Sequence, residues 1–155
     1  MKLKIQYLEN YDKTWGELHY KHQGDSGFDV RAAIKNAVVL KPGERALIPN
    51  GVRFELCPDP TDVWSYEIQV RPRSGLANNH GISLVNTPGT IDFGYRGELM
   101  SIIINCGKED FTINPGDRIA QAVVCPIICP ELITVDQVNE KTDRSQNGFG
   151  SSGKK

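Results

Sequence analysis

Hydrophobic and polar residues alternate with a period of two over several short stretches of the chain. Val52-Arg53-Phe54-Glu55-Leu56 and Tyr66-Glu67-Ile68-Gln69-Val70 each set apolar side chains on one face and polar ones on the other, the pattern of a strand with one buried face. Two nearly continuous apolar runs, Leu99-Met100-Ser101-Ile102-Ile103-Ile104 and Ala120-Gln121-Ala122-Val123-Val124-Cys125, predict strands covered on both faces, inside the domain or against a partner subunit. Turn chemistry interrupts these runs at Pro42-Gly43, Pro49-Asn50-Gly51, Pro58-Asp59-Pro60, Pro88-Gly89, Asn105-Cys106-Gly107 and Asn114-Pro115-Gly116. No uninterrupted amphipathic stretch is long enough for a major helix, and a turn or two of helix is expected only over residues 74–79. Many short strands with regular turns predict an all-β sandwich or barrel.

The strand pattern stops near residue 139. Beyond it stand Glu140, Lys141, Asp143, Arg144, Ser145, Gln146, Asn147 and repeated glycines, with Phe149 as the only large hydrophobe. The expected organisation is therefore a β domain over residues 1–139 and a Gly/Ser-rich segment over residues 140–155. By composition that segment cannot bury enough surface to order itself. An arginine, one aromatic and a Gly-Ser cluster also suit a flap that closes over phosphate and base together.

Composition narrows the chemistry. A chain of 155 residues with 39% hydrophobic content supports one modest core. A formal net charge of −1 gives no basic excess for wrapping nucleic acid, so anion recognition has to be local, which points to a small ligand. The N-terminus, Met1-Lys2-Leu3-Lys4-Ile5-Gln6, alternates charge with hydrophobe, so neither a signal peptide nor a membrane span is expected there. Cys57, Cys106, Cys125 and Cys129 lack a paired C-x-x-C pattern, and buried thiols in a reducing, cytoplasmic compartment are expected over a zinc site.

Candidate chemistry concentrates between Arg71 and Glu98. In Arg71-Pro72-Arg73-Ser74-Gly75-Leu76-Ala77, two arginines and a serine beside a glycine can hold phosphate oxygens through charge-assisted bonds and close backbone approach. In Asn86-Thr87-Pro88-Gly89-Thr90-Ile91-Asp92-Phe93-Gly94-Tyr95-Arg96-Gly97-Glu98, Pro88-Gly89 predicts a hairpin turn, Asp92 supplies a base and Tyr95 an aromatic face. Each has a plainer alternative: Asp92 as a turn-capping aspartate, Tyr95 as a core tyrosine, Arg73 in an ion pair with Asp117. Ser74 as a covalent nucleophile lacks a G-x-S-x-G elbow and has only His80 nearby as a base.

These two strings and three others, taken in order, resemble the five motifs of the trimeric dUTP diphosphatases (dUTPases). The others are Asp25-Ser26-Gly27-Phe28-Asp29-Val30-Arg31-Ala32, Phe111-Thr112-Ile113-Asn114-Pro115-Gly116-Asp117-Arg118-Ile119-Ala120-Gln121 and Arg144-Ser145-Gln146-Asn147-Gly148-Phe149-Gly150-Ser151-Ser152-Gly153. The resemblance implies a jelly-roll-like homotrimer that splits dUTP into dUMP and pyrophosphate with Mg²⁺, each active site being shared among subunits. It implies Asp92 as the base that activates a water against the α-phosphorus. Tyr95 would pack under the deoxyribose, while Asn86, Thr90, Ile91 and Asp92 read the uracil edge and Met100 lines the pocket, although Met100 as a strand-core residue fits equally. Arg73, Ser74, Gly75 and Gln121 would receive the phosphates. Arg144, Phe149, Gly150 and Ser151 would close over the substrate. Asp29 would orient metal-bound water without touching the ion; a turn aspartate bonded to local N–H groups is the alternative.

The chain departs from the motif pattern at Gly94, where an acidic residue is common, and at Gln146-Asn147, which interrupts the glycine run. Two rival functions remain at this level. One is a dCTP deaminase of similar fold, which needs a glutamate in the pocket, and Glu98 lies at the motif's end. The other is a non-enzymatic nucleotide sensor that signals to a protein partner.

Overall fold

The computed structural model describes residues 1–142; Arg144, Phe149, Gly150 and Ser151 lie outside the described residues. The elements run β1 (Lys2–Tyr7), a 3-10 turn (Lys13–Trp15), β2 (Gly27–Arg31), β3 (Val38–Leu40), β4 (Arg45–Pro49), β5 (Val52–Cys57), β6 (Ser65–Pro72), α1 (Ser74–His80), β7 (Ile82–Leu84), β8 (Gly89–Ile91), β9 (Met100–Asn105), β10 (Phe111–Ile113) and β11 (Arg118–Ile127). The strands form sheets of order β2-β11-β6-β8 and β4-β9-β7, with the pairs β1-β5 and β3-β10 beside them. The expected all-β sandwich is observed, and α1 begins where the sequence placed a short helix.

Period-two burial holds the layers together. Val52, Phe54 and Leu56 point inward from β5, as do Ile68 and Val70 from β6. They join Val30 and Ala122 from the β2-β11-β6-β8 sheet and Ile48, Ile82 and Ile103 from the β4-β9-β7 sheet in a single apolar cluster. Full burial of each such aliphatic side chain stabilises the fold by roughly 1.5–3 kcal/mol. Gly51, in the turn from β4 to β5, is required on two counts. Its φ is +69°, and a Cβ there would stand 2.8 Å from that of Ala33 and 2.9 Å from that of Tyr11.

Two expectations need correcting and one is narrowed. β9 is covered on one face by its own chain: Ser101, Ile103 and Asn105 are buried, whereas Met100, Ile102 and Ile104 are half-buried, which leaves the partner-subunit alternative for the second face. The thiols are not buried: Cys57 and Cys125 are half-buried, whereas Cys106 and Cys129 lie exposed in connections after strands. The hairpin expected around Pro88-Gly89 does not pair with itself. Among the described residues β8 has only β6 as a neighbour, while β7 and β9 belong to the other sheet, so the turn at residues 85–88 and the loop at residues 92–98 are passages between layers.

Candidate active site

The phosphate-side residues are gathered by β11, which lies between β2 and β6. Gln121 stands opposite Asp29 on one side and opposite Arg71 on the other, so three residues from distant parts of the chain form one row across the sheet. Cross-strand partners project from the same face. The Gln121 side-chain amide donates to the Pro72 carbonyl at 3.1 Å, fixing the end of β6 just before Arg73. Arg73 then caps α1 with an extended backbone, and Ser74 and Gly75 form its open first turn, with nothing within 4 Å of where a Gly75 Cβ would lie.

Arg73 does not pair with Asp117. Its Nε donates to Asp29 Oδ1 at 3.0 Å, and its Nη1 to the Arg118 carbonyl at 3.0 Å. Asp117 is instead used locally, accepting the Asn114 backbone N–H at 2.7 Å in the Asn114-Pro115-Gly116 turn. Arg118 Nη1 completes the cluster with a bond to Asp29 Oδ2 at 3.1 Å. A register shift between Arg118 and Ala120 accompanies this, turning Ile119 into the core and leaving Arg118 exposed beside Asp29. Asp29 is thus a strand residue held between two guanidinium groups, not a turn aspartate. Part-exposed ion pairs are worth on the order of 1 kcal/mol or less each. Their main effect is to fix Arg73 in place.

The base-side residues form a second group. Thr90 and Ile91 lie opposite Gln69 and Ile68 on β6, with Thr90 exposed and Ile91 half-buried. Asn86 lies over Gly89: a Cβ at that glycine would stand 3.2 Å from Asn86 Nδ2. Asp92 follows β8 directly and is exposed. Tyr95 is 44% exposed, and its hydroxyl donates to the Glu98 carbonyl at 3.0 Å, so it is no core tyrosine. Met100 is half-buried at the start of β9. Gly94 has nothing within 4 Å of a would-be Cβ, so the site has room for the acidic residue it lacks. No hydrogen bond or ion pair joins the phosphate-side and base-side groups among the described residues.

The motif carboxylates differ sharply in their commitments. Asp25 accepts the His22 N–H at 2.8 Å, Asp29 is shared by two arginines, and Glu98 Oε1 accepts from Asn10 Nδ2 and from the Gly51 N–H, both at 2.8 Å. The Asp92 carboxylate has no hydrogen-bond or ion-pair partner among the described residues. No cluster of three or more His, Cys, Asp or Glu side chains that could hold a metal ion occurs among the described residues. Asp29 keeps lone pairs for water but faces two positive groups. This donor set fits an ion ligated by phosphate oxygens and water, and does not fit a protein-only cage. A cleft of about 420 Å³ is lined by Asp29, Arg118 and Gln121 together with His19, Lys21 and His22.

The profile that defines the dUTPase family matches residues 13–153. The chain belongs to the dUTPase family. Its relatives include a deoxyuridine 5'-triphosphate nucleotidohydrolase of Bdellovibrio bacteriovorus, 47% identical over 155 residues that cover 99% of this chain and 97% of the relative. Another, from Syntrophotalea carbinolica, is 52% identical over 128 residues, 83% of this chain and 82% of its own. Among solved structures, the dUTPase of Staphylococcus bacteriophage 80alpha with dUPNHPP superposes with a TM-score of 0.81 at 28% identity over 98% of both chains. A dUTPase from phage phi11 of S. aureus, described with coordination of a structural Mg(II) ion, gives a TM-score of 0.72 at 27% identity, covering 88% of this chain and 98% of its own.

Sequence reasoning missed two residues that pair with the motif carboxylates. Arg118 was visible inside the fourth motif, but its partner Asp29 is 89 residues away and nothing local announces the pair. Asn10, which reaches Glu98 across 88 residues, carries no sequence signal at all.

Proposed function

We propose that the chain hydrolyses dUTP to dUMP and pyrophosphate, with Asp92 taking the proton from the water that attacks the α-phosphorus. The new P–O bond forms as the bond from the α-phosphorus to the α–β bridging oxygen breaks, and pyrophosphate leaves. The observation that carries this mechanism is the Asp92 carboxylate, which has no partner among the described residues, whereas Asp25, Asp29, Asp117 and Glu98 are each engaged. A base has to be uncommitted to accept a proton.

The other roles follow from placement. Arg73, held by Asp29, and the open turn of Ser74 and Gly75 receive the phosphate chain with Gln121. Asn86, Thr90, Ile91 and Asp92 read uracil, Tyr95 excludes a 2′-hydroxyl, and Met100 lines the pocket. Bound Mg²⁺ would neutralise the triphosphate charge, with Asp29 ordering water around it. Because no hydrogen bond or ion pair joins the two side-chain groups among the described residues of one chain, we place them in a homotrimer whose sites combine the phosphate side of one subunit with the base side of another. Residues 140–155 then act as the flap of a third subunit on the domain formed by residues 1–139, with Arg144 on the terminal phosphates, Phe149 over the base, and Gly150 and Ser151 beside them. No helix among the described residues is long and apolar enough to cross a membrane, and the free cysteines suit a reducing cytoplasm.

Deamination of dCTP is disfavoured by Glu98, whose carboxylate is spent on Asn10 and Gly51. The deciding experiment measures pyrophosphate and ammonia from dUTP, dCTP, dTTP and UTP, with Mg²⁺ and then with EDTA. Pyrophosphate from dUTP alone, lost with EDTA, is expected. Ammonia from dCTP, or nucleotide binding without pyrophosphate release, would replace this reading with one of its rivals.

A further inference from the structure

The loop over residues 92–98 carries the base and the aromatic ring, yet no β ladder supports it. Its internal bonds, from the Tyr95 N–H to the Asp92 carbonyl and from Arg96 Nη1 to the Phe93 and Tyr95 carbonyls, tie it only to itself. Among the described residues, the hydrogen bonds that leave this loop for the framework all end on Glu98. Its Oε1 accepts from Asn10 Nδ2 and the Gly51 N–H, both at 2.8 Å. Both donors are fixed. Gly51 has no room for a side chain, and Asn10 follows β1, whose neighbour is β5. On the loop side, the Tyr95 hydroxyl donates to the Glu98 carbonyl at 3.0 Å. The ring also lies so close over Gly97 that a Cβ there would collide with the hydroxyl oxygen. Residue 98 therefore holds the framework through its side chain and the ring through its carbonyl.

We propose that Glu98 is a positioning residue for sugar selection, locking the Tyr95 ring in the pose from which it excludes a ribose 2′-hydroxyl. The inference rests on the reading of Tyr95 as the sugar platform. Steric rejection of one hydroxyl works only against a wall that stays put. A ring free to swing by an ångström would admit the larger sugar at little cost. Loss of the Glu98 acceptor would leave the Gly51 N–H without its partner and Asn10 with only the Ala33 carbonyl at 3.4 Å, and would release the loop as far as Leu99, whose backbone is paired with Val52 and Asn50.

The test compares Glu98→Ala, Glu98→Gln and Tyr95→Ala in the full-length protein, using pyrophosphate release from dUTP and UTP and hydrogen–deuterium exchange of the ligand-free loop. Glu98→Ala should raise the UTP-to-dUTP ratio of kcat/KM by about tenfold, the scale of one lost charged hydrogen bond, and speed exchange across residues 92–98. Glu98→Gln keeps an acceptor oxygen for both donors, so its ratio and exchange should stay close to wild type. A uniform loss on both nucleotides in Glu98→Ala, with the ratio unmoved while Tyr95→Ala shifts it, would overturn the inference and leave the platform reading standing. A Gln variant as permissive as the Ala variant would also overturn it. An unmoved ratio in Tyr95→Ala would remove the platform reading and the inference together. Should Glu98→Ala fail to fold, Asn10→Ala removes one donor and should move the ratio about threefold in the same direction; no shift there counts against the inference.

Discussion

At the scale of single residues, the site is defined by what each charged group is already doing. Asp92→Asn should leave folding and nucleotide binding intact and lower turnover by roughly 10²–10⁴, the usual worth of a general base. Steady-state pyrophosphate release checks this, and wild-type turnover would dismiss Asp92 as the base. A second residue governs stability at high pH. Burial raises the Tyr11 phenol above its ordinary pKa, with the neighbouring Tyr7 adding to the shift, and its hydroxyl donates to the Gly16 carbonyl at 2.7 Å. A raised acid pKa means the folded state favours the neutral form. That contribution is complete below the unfolded value, near pH 10, and is lost as the pH climbs through the folded one. Thermal melts should therefore show Tm falling more steeply above about pH 10 in wild type than in Tyr11→Phe, which at neutral pH gives up about 0.5–1.5 kcal/mol for its hydrogen bond. Residue types were legible in the sequence, whereas commitments were not. Asp29, Asp92 and Glu98 look alike in the chain, and only partners supplied from 44 to 89 positions away separate a clamp, a base and a brace.

At the scale of elements, strands with alternating side chains were readable because one buried face writes itself into the sequence, as in β5 and β6. α1 was readable from its local chemistry. The passage from β8 to β9 was misread as a hairpin because Pro88-Gly89 specifies a turn without specifying which sheet each arm joins. Likewise, the apolar content of β9 states that both faces avoid water but not that one chain covers only one of them. The C-terminal segment is the element whose role is tested most directly. Removal of everything after Glu140 should change Tm little, since no residue beyond it belongs to the described core, yet should collapse dUTP turnover. Loss of base stacking on Phe149 would account for about 1–3 kcal/mol of it. Full activity in the truncated chain would make the segment an ordinary tail.

At the scale of the whole molecule, sharing of sites predicts complementation. An Asp92→Asn chain mixed with a chain ending at Glu140 should regain part of the activity, because some mixed trimers combine an intact base with an intact tail. No recovery, with subunit exchange confirmed by mass, would mean that each chain works alone. The position of β11 bears on a different matter, the order in which the chain is made. β2 and β6 never touch each other as neighbours; each pairs with β11, the last strand in chain order among the described residues. Until residues 118–127 emerge, the largest sheet has no centre, and β2 and the β6-β8 pair wait with unpaired edges. A fragment ending at residue 117 should remain protease-sensitive and lack the sheet signal in circular dichroism, whereas one ending at Glu140 should fold. The newborn chain would then hold its phosphate-binding residues apart until residues 118–127 are made, and the aggregation risk of this domain would be concentrated in the seconds before β11 arrives.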